Sequence, residues 1–388
     1  MPSHRYLVVG GGMTGHAAAA AIRELDPRGS LAMLAAEPDR PYARPPLSKG
    51  LWLGKEESSV WLAPVPGLEL AAGRRAVSLD TAAHELADDA GESWRYEKLL
   101  LATGGRPRRL PFGGDRVVYF RTLADFHRLR SSAGRRVAVI GAGFIGSEIA
   151  AALAQAGKAV TMIFPEGSIG ERVYPAELAD FVTRTFRERG VALHPREMVT
   201  GLEERGGEVR LRLSSGGEVA ADAVVAGLGI EADTALAERA GIRCDRGILV
   251  DAELRTSAPD VWAAGDVARF PSPALGGAVR VEHEDNALAQ GRAAGRAMAG
   301  AAGPYRHLPF FYSDLFDLGY EAVGRLDARL ETVASWKTPF REGVVYYLEG
   351  GAVRGVLLWG LFGQVEAARA LVEGRRPVAR ADLPRAIP

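Results

Sequence analysis

A glycine turn joining an apolar strand to an alanine-rich helix occurs twice in this chain. No other feature limits the fold as much. The second copy reads Val137-Ala138-Val139-Ile140-Gly141-Ala142-Gly143-Phe144-Ile145-Gly146-Ser147-Glu148-Ile149-Ala150. Gly141 permits the tight turn, Gly143 lets a backbone approach a pyrophosphate, and Gly146 lets the helix pack on the strand. The helix start adds free N–H groups and the positive end of the helix dipole. The first copy runs Tyr6-Leu7-Val8-Val9 into Gly10-Gly11-Gly12-Met13-Thr14-Gly15. One such match is weak. Two complete units in one chain imply two nucleotides, most naturally a flavin beside a nicotinamide.

Taken in order, residues 5–9 read as a buried parallel strand, followed by a helix to about residue 25. Residues 31–36 read as the second strand, with Glu37 at its end. A carboxylate about twenty positions beyond the glycines accepts ribose hydroxyls in such units. The alternative for Glu37 is a solvated loop carboxylate. Arg40-Pro41-Tyr42-Ala43-Arg44-Pro45-Pro46-Leu47-Ser48-Lys49 follows, and its three prolines are expected to forbid helix until Leu47. This stiff loop either holds the cations Arg44 and Lys49 against a flavin nucleotide or is plain rigid surface. Residues 76–80 read as a strand. A further apolar strand leads into Ala102-Thr103-Gly104-Gly105, a small-residue turn that lets the chain cross close to a cofactor. The basic run Arg106, Arg108 and Arg109 suggests a domain crossover with a solvated face.

In the second unit, residues 159–164 form the second strand and Glu166 follows Gly146 by twenty positions. A carboxylate there repels a 2′-phosphate, which favours NADH over NADPH. Arg172 could serve either dinucleotide. A helix over 176–189 and short strands over 203–213 and 216–219 follow, then an apolar strand over 223–229 returning to the first unit. Residues 261–264 run as a strand into Gly265-Asp266, where Asp266 could hold a flavin ribityl chain, cap a helix, or do both. Glu282 and His283 precede a helix expected from Asn286 to residue 298. From residue 306 the pattern turns to period-two segments and one closing helix, a small antiparallel α+β domain.

The 388 residues suit two or three domains, and 48 basic against 48 acidic residues give no footing for nucleic acid or an anionic membrane. No apolar run is long enough to span a bilayer, and with the first strand starting so early no signal peptide is expected. Cys244 is the one cysteine, which excludes an intramolecular disulfide and fits a reducing compartment. The cytoplasm is the expected location.

Together these runs resemble the flavoprotein reductases of the glutathione-reductase-like two-dinucleotide fold. Within them the chain is most similar to the apoptosis-inducing factor group, and next to the ferredoxin reductases of oxygenase systems. The matching runs are Pro41 to Lys49, Ala102-Thr103-Gly104-Gly105, Gly141 to Glu148, Phe164-Pro165-Glu166, Ala264-Gly265-Asp266, Val281-Glu282-His283 and Tyr312-Ser313-Asp314. The resemblance implies an α/β fold of two Rossmann-like dinucleotide-binding domains and a small C-terminal α+β domain. The FAD-binding domain would span 1–113 and 230–305, the NAD-binding domain 114–229, and a C-terminal α+β interface domain 306–388.

By resemblance, FAD is held by Gly10, Gly12, Thr14, Gly15, Glu37, Arg44, Lys49, Ala76, Ala102, Thr103, Gly104, Arg121, Asp266 and His283. NADH is met by Gly141, Gly143, Phe144, Ile145, Gly146, Glu148, Glu166, Gly229, Glu282, Tyr312 and Glu321. Lys49, Glu148 and Phe144 are the implied catalytic group: an ion pair beside the flavin and an aromatic gate over it. Tyr312 stands where the family usually has Trp. The long third-domain insertion of the animal factors is missing, since Trp336 runs almost directly into Val344.

The implied activity is an FAD-dependent NADH oxidoreductase, with electrons leaving to a ferredoxin, rubredoxin, quinone or other acceptor. A lone Cys244 argues against disulfide reduction. The rival reading is a redox-sensing binding protein whose long-lived reduced-flavin/NAD complex recruits a partner or forms a homodimer. Arg375 and Arg376, with the Arg106 cluster, could dock an acidic ferredoxin or be solvated surface.

Overall fold

The computed structural model describes residues 2–132 and 134–387. The chain divides into two compact units, Met1–Ala43 with Ser58–Arg106 and Glu231–Phe310, and Arg44–Glu57 with Pro107–Ile230 and Phe311–Pro388.

The first unit is built on a seven-stranded sheet. Four parallel strands stand in the order Leu68–Ala72, Leu31–Ala35, Ser3–Val9 and Ser93–Leu101, and Val261–Ala263 adds a fifth beside Ser93–Leu101. Glu85–Asp88 and Ala76–Asp80 extend the sheet antiparallel. Leu31–Ala35 is buried at every position, as a strand covered on both faces must be. Helix Met13–Leu25 packs against helix Glu284–Met298 almost backbone to backbone. A Cβ on Gly291 would lie 2.3 Å from the Thr14 carbonyl oxygen, and one on Gly295 2.3 Å from that of Ala18. Glycine at those two positions sets how close the helices come.

The second unit holds a five-stranded parallel sheet ordered Ala192–Pro195, Ala159–Phe164, Arg136–Ile140, Ala223–Ala226 and Val117–Tyr119. A three-stranded antiparallel meander, Val199–Arg205, Glu208–Leu213 and Glu218–Ala221, covers one side of its core. The C-terminal part is a second five-stranded sheet in which Leu318–Gly324, Ala352–Trp359, Glu342–Glu349 and Glu331–Thr338 pair antiparallel, with helix Val365–Gly374 closing it. Two Rossmann-like sheets and a small α+β sheet are thus present, as the two glycine turns require.

Several local expectations are corrected. The prolines do not delay helix to Leu47: a 3-10 turn spans Pro45–Ser48 with both prolines in its first positions, where a missing N–H costs nothing. The apolar run over 223–229 is strand only as far as Ala226, inside the second parallel sheet between Arg136–Ile140 and Val117–Tyr119, and the chain passes into the first unit at Glu231. The helix expected from Asn286 begins at Glu284 with His283 as its cap, because acidic side chains suit a first helical turn. Helix Leu123–Ser132 and strand Leu68–Ala72 had no expectation attached. Asp125 explains the former, since its carboxylate accepts the Thr122 N–H at 2.8 Å and the Thr122 hydroxyl at 2.7 Å.

Candidate functional site: a caged lysine and a glycine-walled cleft

Within the second unit, helix Phe144–Gln155 starts directly at the glycine turn. Gly141 has φ +101°, and a Cβ there would lie 2.6 Å from the Gly227 carbonyl oxygen. A Cβ on Gly146 would lie 2.2 Å from the Gly141 oxygen. Gly143 differs: nothing stands within 4 Å of its Cβ position. Two glycines therefore close the turn on itself, and the third leaves the space in front of the helix N-terminus open.

Glu148 faces inward one turn along this helix and is only 6% exposed. Its carboxylate accepts the Ser48 hydroxyl at 2.8 Å and the Ser313 hydroxyl at 2.7 Å, and meets Lys49 Nζ at 3.0 Å. A buried carboxylate needs such compensation. Lys49 Nζ also lies 3.2 Å from Asp314 and 4.3 Å above the Tyr312 ring. The ammonium is thus held by two carboxylates and an aromatic face, in a place that leaves its side chain 15% exposed. Phe144 is 40% exposed at the helix start and packs on Phe311 at 5.4 Å between ring centroids.

A cleft of about 400 Å³ opens beside the turn, lined by Gly141, Gly143, Phe144, Ser147, Glu166, Arg172, Tyr174, Gly229 and Ser313 among others. That volume is in the range of small-molecule sites. Glu166 stands in its wall with the Arg172 guanidinium 2.7 Å away. An open glycine, an uncapped helix start and a carboxylate in one cleft fit a nicotinamide dinucleotide. The cleft does not gather every expected residue. Glu321 accepts the Gly363 N–H at 3.1 Å and does not line it, and Ile145 is exposed beside the turn. Arg44 donates to the Arg121 carbonyl at 2.8 Å, so these two residues meet each other.

The first unit repeats the glycine logic. Gly10 has φ +123°, and its Cβ would lie 2.1 Å from the Ala102 carbonyl oxygen. A Cβ on Gly15 would lie 2.0 Å from the Gly10 oxygen. Gly12 caps helix Met13–Leu25 and brings no side chain to its first N–H groups. Thr14 is buried against Gly265, whose Cβ would lie 2.3 Å from Thr14 Oγ1. Gly10, Thr14, Ala102 and the Gly265-Asp266 turn are therefore neighbours. Asp266 sits inside the 3-10 turn Gly265–Val267, with Ala264 as the cap. Gln290, wholly buried, accepts the Gly265 N–H at 2.8 Å, and its Nε2 has no partner among the described residues. That spare donor and the open glycine turn fit a second nucleotide. Glu37 accepts the Tyr42 hydroxyl. The Gly73 and Arg74 amides bind the Glu37 and Ala35 carbonyls at 3.0 and 2.9 Å, which brings the chain before Ala76 to that strand end. Thr103 donates to the Asp233 carbonyl at 2.7 Å, and Gly104 has φ +67°. Glu282 pairs with Arg280 at 2.6 Å, and Arg106, whose side chain is largely solvated, lies 3.6 Å from Asp233.

Desolvation pushes the His283 imidazole down to about 4, against the opposing pull of Asp266 and Asp285. His283 is therefore neutral at pH 7. Between pH 6.5 and about 4 the unfolded chain takes up a proton there that the folded chain refuses. Stability should fall as pH falls through that window. Urea unfolding from pH 7 to 4 checks it: His283→Asn should flatten the slope, and an unchanged slope counts against a neutral His283.

Sequence reasoning gave Ser48, Ser313, Asp314 and Tyr42 no role. All four lie inside the matched runs, which is the available signal. Ser313 and Glu148 are 165 positions apart, so only folding pairs them.

The family model described as pyridine nucleotide-disulphide oxidoreductase matches residues 4–291, and the one for the apoptosis-inducing factor, mitochondrion-associated, C-terminal region matches residues 294–340. The chain is 34% identical to the anthranilate 1,2-dioxygenase system ferredoxin–NAD(+) reductase component of Burkholderia cepacia, over 96% of this chain and 95% of the relative. It is 31% identical to the mitochondrial apoptosis-inducing factor 1 of Dictyostelium discoideum, over 96% and 79%. The crystal structure of the ferredoxin reductase for the CYP199A2 system from Rhodopseudomonas palustris superposes with a TM-score of 0.90 at 30% identity, covering 98% of this chain and 97% of that one. No helix among the described residues is long and apolar enough to cross a membrane. With two nucleotide-binding turns, a caged lysine and these relatives, the chain belongs to the pyridine nucleotide-disulphide oxidoreductase family, as an FAD-dependent NAD(H) oxidoreductase.

Proposed function

We propose that the protein is an NADH-dependent reductase of a small iron–sulfur protein of the ferredoxin type, with a rubredoxin or a quinone as the other candidate acceptors. The observation that carries this reading is Lys49, fixed at 3.0 Å from Glu148 and 3.2 Å from Asp314 over the Tyr312 ring. The relatives named as ferredoxin–NAD(+) reductases support the acceptor class. Cys244 as the one cysteine argues against disulphide substrates despite the family's name.

The bound FAD and NADH supply the hydride chemistry itself. This chain's residues bind, orient and stabilise. Gly10, Gly12, Thr14, Gly15, Glu37, Ala76, Ala102, Thr103, Gly104, Asp266 and His283 would hold FAD, together with Arg44, Lys49 and Arg121. Gly141, Gly143, Gly146, Glu166, Gly229 and Tyr312 would hold NADH; Ile145, Glu282 and Glu321 are assigned by family resemblance. In domain terms, 1–113 and 230–305 would carry FAD, 114–229 NADH, and 306–388 the interface. Lys49 keeps a fixed positive charge where negative charge arrives, an arrangement that stabilises without reorganising. Glu148 holds the Lys49 ammonium in place, and Ser48 and Ser313 hold Glu148. Phe144, partly exposed and in ring contact with Phe311, would move aside to admit the nicotinamide. We assign the protein to the cytoplasm, in keeping with its sparse cysteine.

Anaerobic titration of the yellow protein with NADH, followed by a ferredoxin, tests the acceptor. Prompt bleaching and fast reoxidation by the ferredoxin are expected. A persistent long-wavelength band with slow reoxidation would instead favour a redox-sensing binding protein. The dinucleotide preference has its own test. Glu166→Ala should weaken NADH about tenfold, the loss of a good ribose contact, and NADPH much less. Equal losses for both would remove Glu166 from the ribose.

A further inference from the structure

The wall of the cleft between Gly170 and Tyr174 is a tight turn, not part of a sheet. Val173 and Tyr174 both donate their N–H groups to the Gly170 carbonyl at 2.8 Å. Three successive residues of this wall are each gripped from the C-terminal sheet in a different way. The Ala328 N–H, in the connection between strands Leu318–Gly324 and Glu331–Thr338, donates to the Arg172 carbonyl at 3.0 Å. The Tyr347 hydroxyl, from the middle of Glu342–Glu349, donates to the Val173 carbonyl at 2.7 Å. The Tyr174 ring packs edge-on against Tyr320 and Trp359, with centroids 5.8 and 5.5 Å away, and those two rings stack at 5.5 Å.

The same residues face the ligand space. Val173 and Tyr174 line the cleft, and the Arg172 side chain reaches Glu166 at 2.7 Å. Where the main chain of 172–174 stands therefore sets where the Glu166–Arg172 pair stands. Tyr347 is wholly buried, and its bond to Val173 is a short hydroxyl-to-carbonyl contact away from water. Removing the hydroxyl leaves a buried acceptor without its donor, and the turn must shift to recover one. We propose that Tyr347 is a positioning residue for the dinucleotide, through which the C-terminal sheet fixes the adenosine-side wall of the cleft. The inference rests on the assignment of the cleft to NADH. It gives the third domain a part in nucleotide binding besides any role as an interface.

The test uses the FAD-loaded protein and ADP-ribose, which carries the adenosine half of NADH and no hydride. Calorimetry with wild type and Tyr347→Phe should show about tenfold weaker binding in the variant, which corresponds to about 1.4 kcal/mol. Hydrogen exchange on both proteins provides a readout that a merely structural tyrosine would leave unmoved. Coupling between sites is reciprocal, so ADP-ribose should slow exchange at the Ala328 amide in wild type and much less in Tyr347→Phe. Equal affinity in both proteins, or equal slowing at Ala328 in both, overturns the positioning role while leaving the cleft assignment intact. Failure of ADP-ribose to bind wild type overturns both.

Discussion

Lys49→Met is expected to slow reduction of the bound flavin by NADH about 100-fold, the range seen when one aimed charge-stabilising group is removed, with FAD still bound. Methionine keeps most of the side-chain length and removes the charge together with its N–H donors. Lys49 Nζ is held by Glu148 at 3.0 Å and Asp314 at 3.2 Å, so its position needs no rearrangement during the reaction. The substitution also leaves Glu148 buried without its cation. The Ser48 and Ser313 hydroxyls still reach that carboxylate, which limits the stability loss to about 3 kcal/mol, the low end for a broken buried pair. Glu148→Gln should slow reduction less, because Asp314 and the Tyr312 face still hold the ammonium. Stopped-flow absorbance of the flavin band, on variants checked for FAD content, separates the two. Wild-type reduction rates in Lys49→Met would sink the assignment.

Gly143→Val and Gly146→Val should fail in opposite ways. The backbone at Gly143 is extended, with φ −75° and ψ −176°, and nothing lies within 4 Å of its Cβ position. Valine is at ease in extended backbone, so stability should change by no more than about 0.5 kcal/mol. The isopropyl group would occupy the open space before the helix, where the proposed site has the pyrophosphate approach. NADH binding should weaken about 100-fold, or about 2.7 kcal/mol. Gly146 lies inside the helix, and its Cβ would sit 2.2 Å from the Gly141 carbonyl oxygen. That clash is with backbone, so the turn itself must move, and a loss of about 4 kcal/mol or more is expected. Urea unfolding read beside NADH titration discriminates the pair. Tight NADH binding in Gly143→Val would remove that glycine from the phosphate site.

The two glycine turns were legible because the constraint is local. A strand, a turn at positive φ and a helix all fall within about fifteen residues, and only glycine satisfies Gly10 and Gly141. Short apolar segments parted by turn residues likewise announced the C-terminal sheet, although Glu342–Glu349 and Ala352–Trp359 are buried on both faces and do not alternate. Helix Leu123–Ser132 was harder to read. Its helical face buries only Leu123, Phe126 and Leu129, and its starting signal is a short Thr122-Asp125 hydrogen-bond pair. The run over 223–229 lies in the second unit as its domain assignment implies, but an apolar strand of this length states only that it is buried, not beside which neighbours.

What the sequence by itself determined is the chemistry on offer: two nucleotide-binding turns, a cation in a proline-stiffened loop, a carboxylate on the second helix and one cysteine. What only the tertiary structure decided is which groups share a place. It gave Lys49 a second carboxylate in Asp314, gave Glu148 the hydroxyls of Ser48 and Ser313, and sent Glu321 to the Gly363 amide instead of the cleft. It also set Tyr347 behind Val173, 174 positions away in the chain. The physical reason is range. Backbone sterics and helix starts act over a few residues and leave their mark in the local order of amino acids. Ion pairs and buried hydrogen bonds act over a few ångströms, and the burial that brings distant segments that close is a property of the whole packed core.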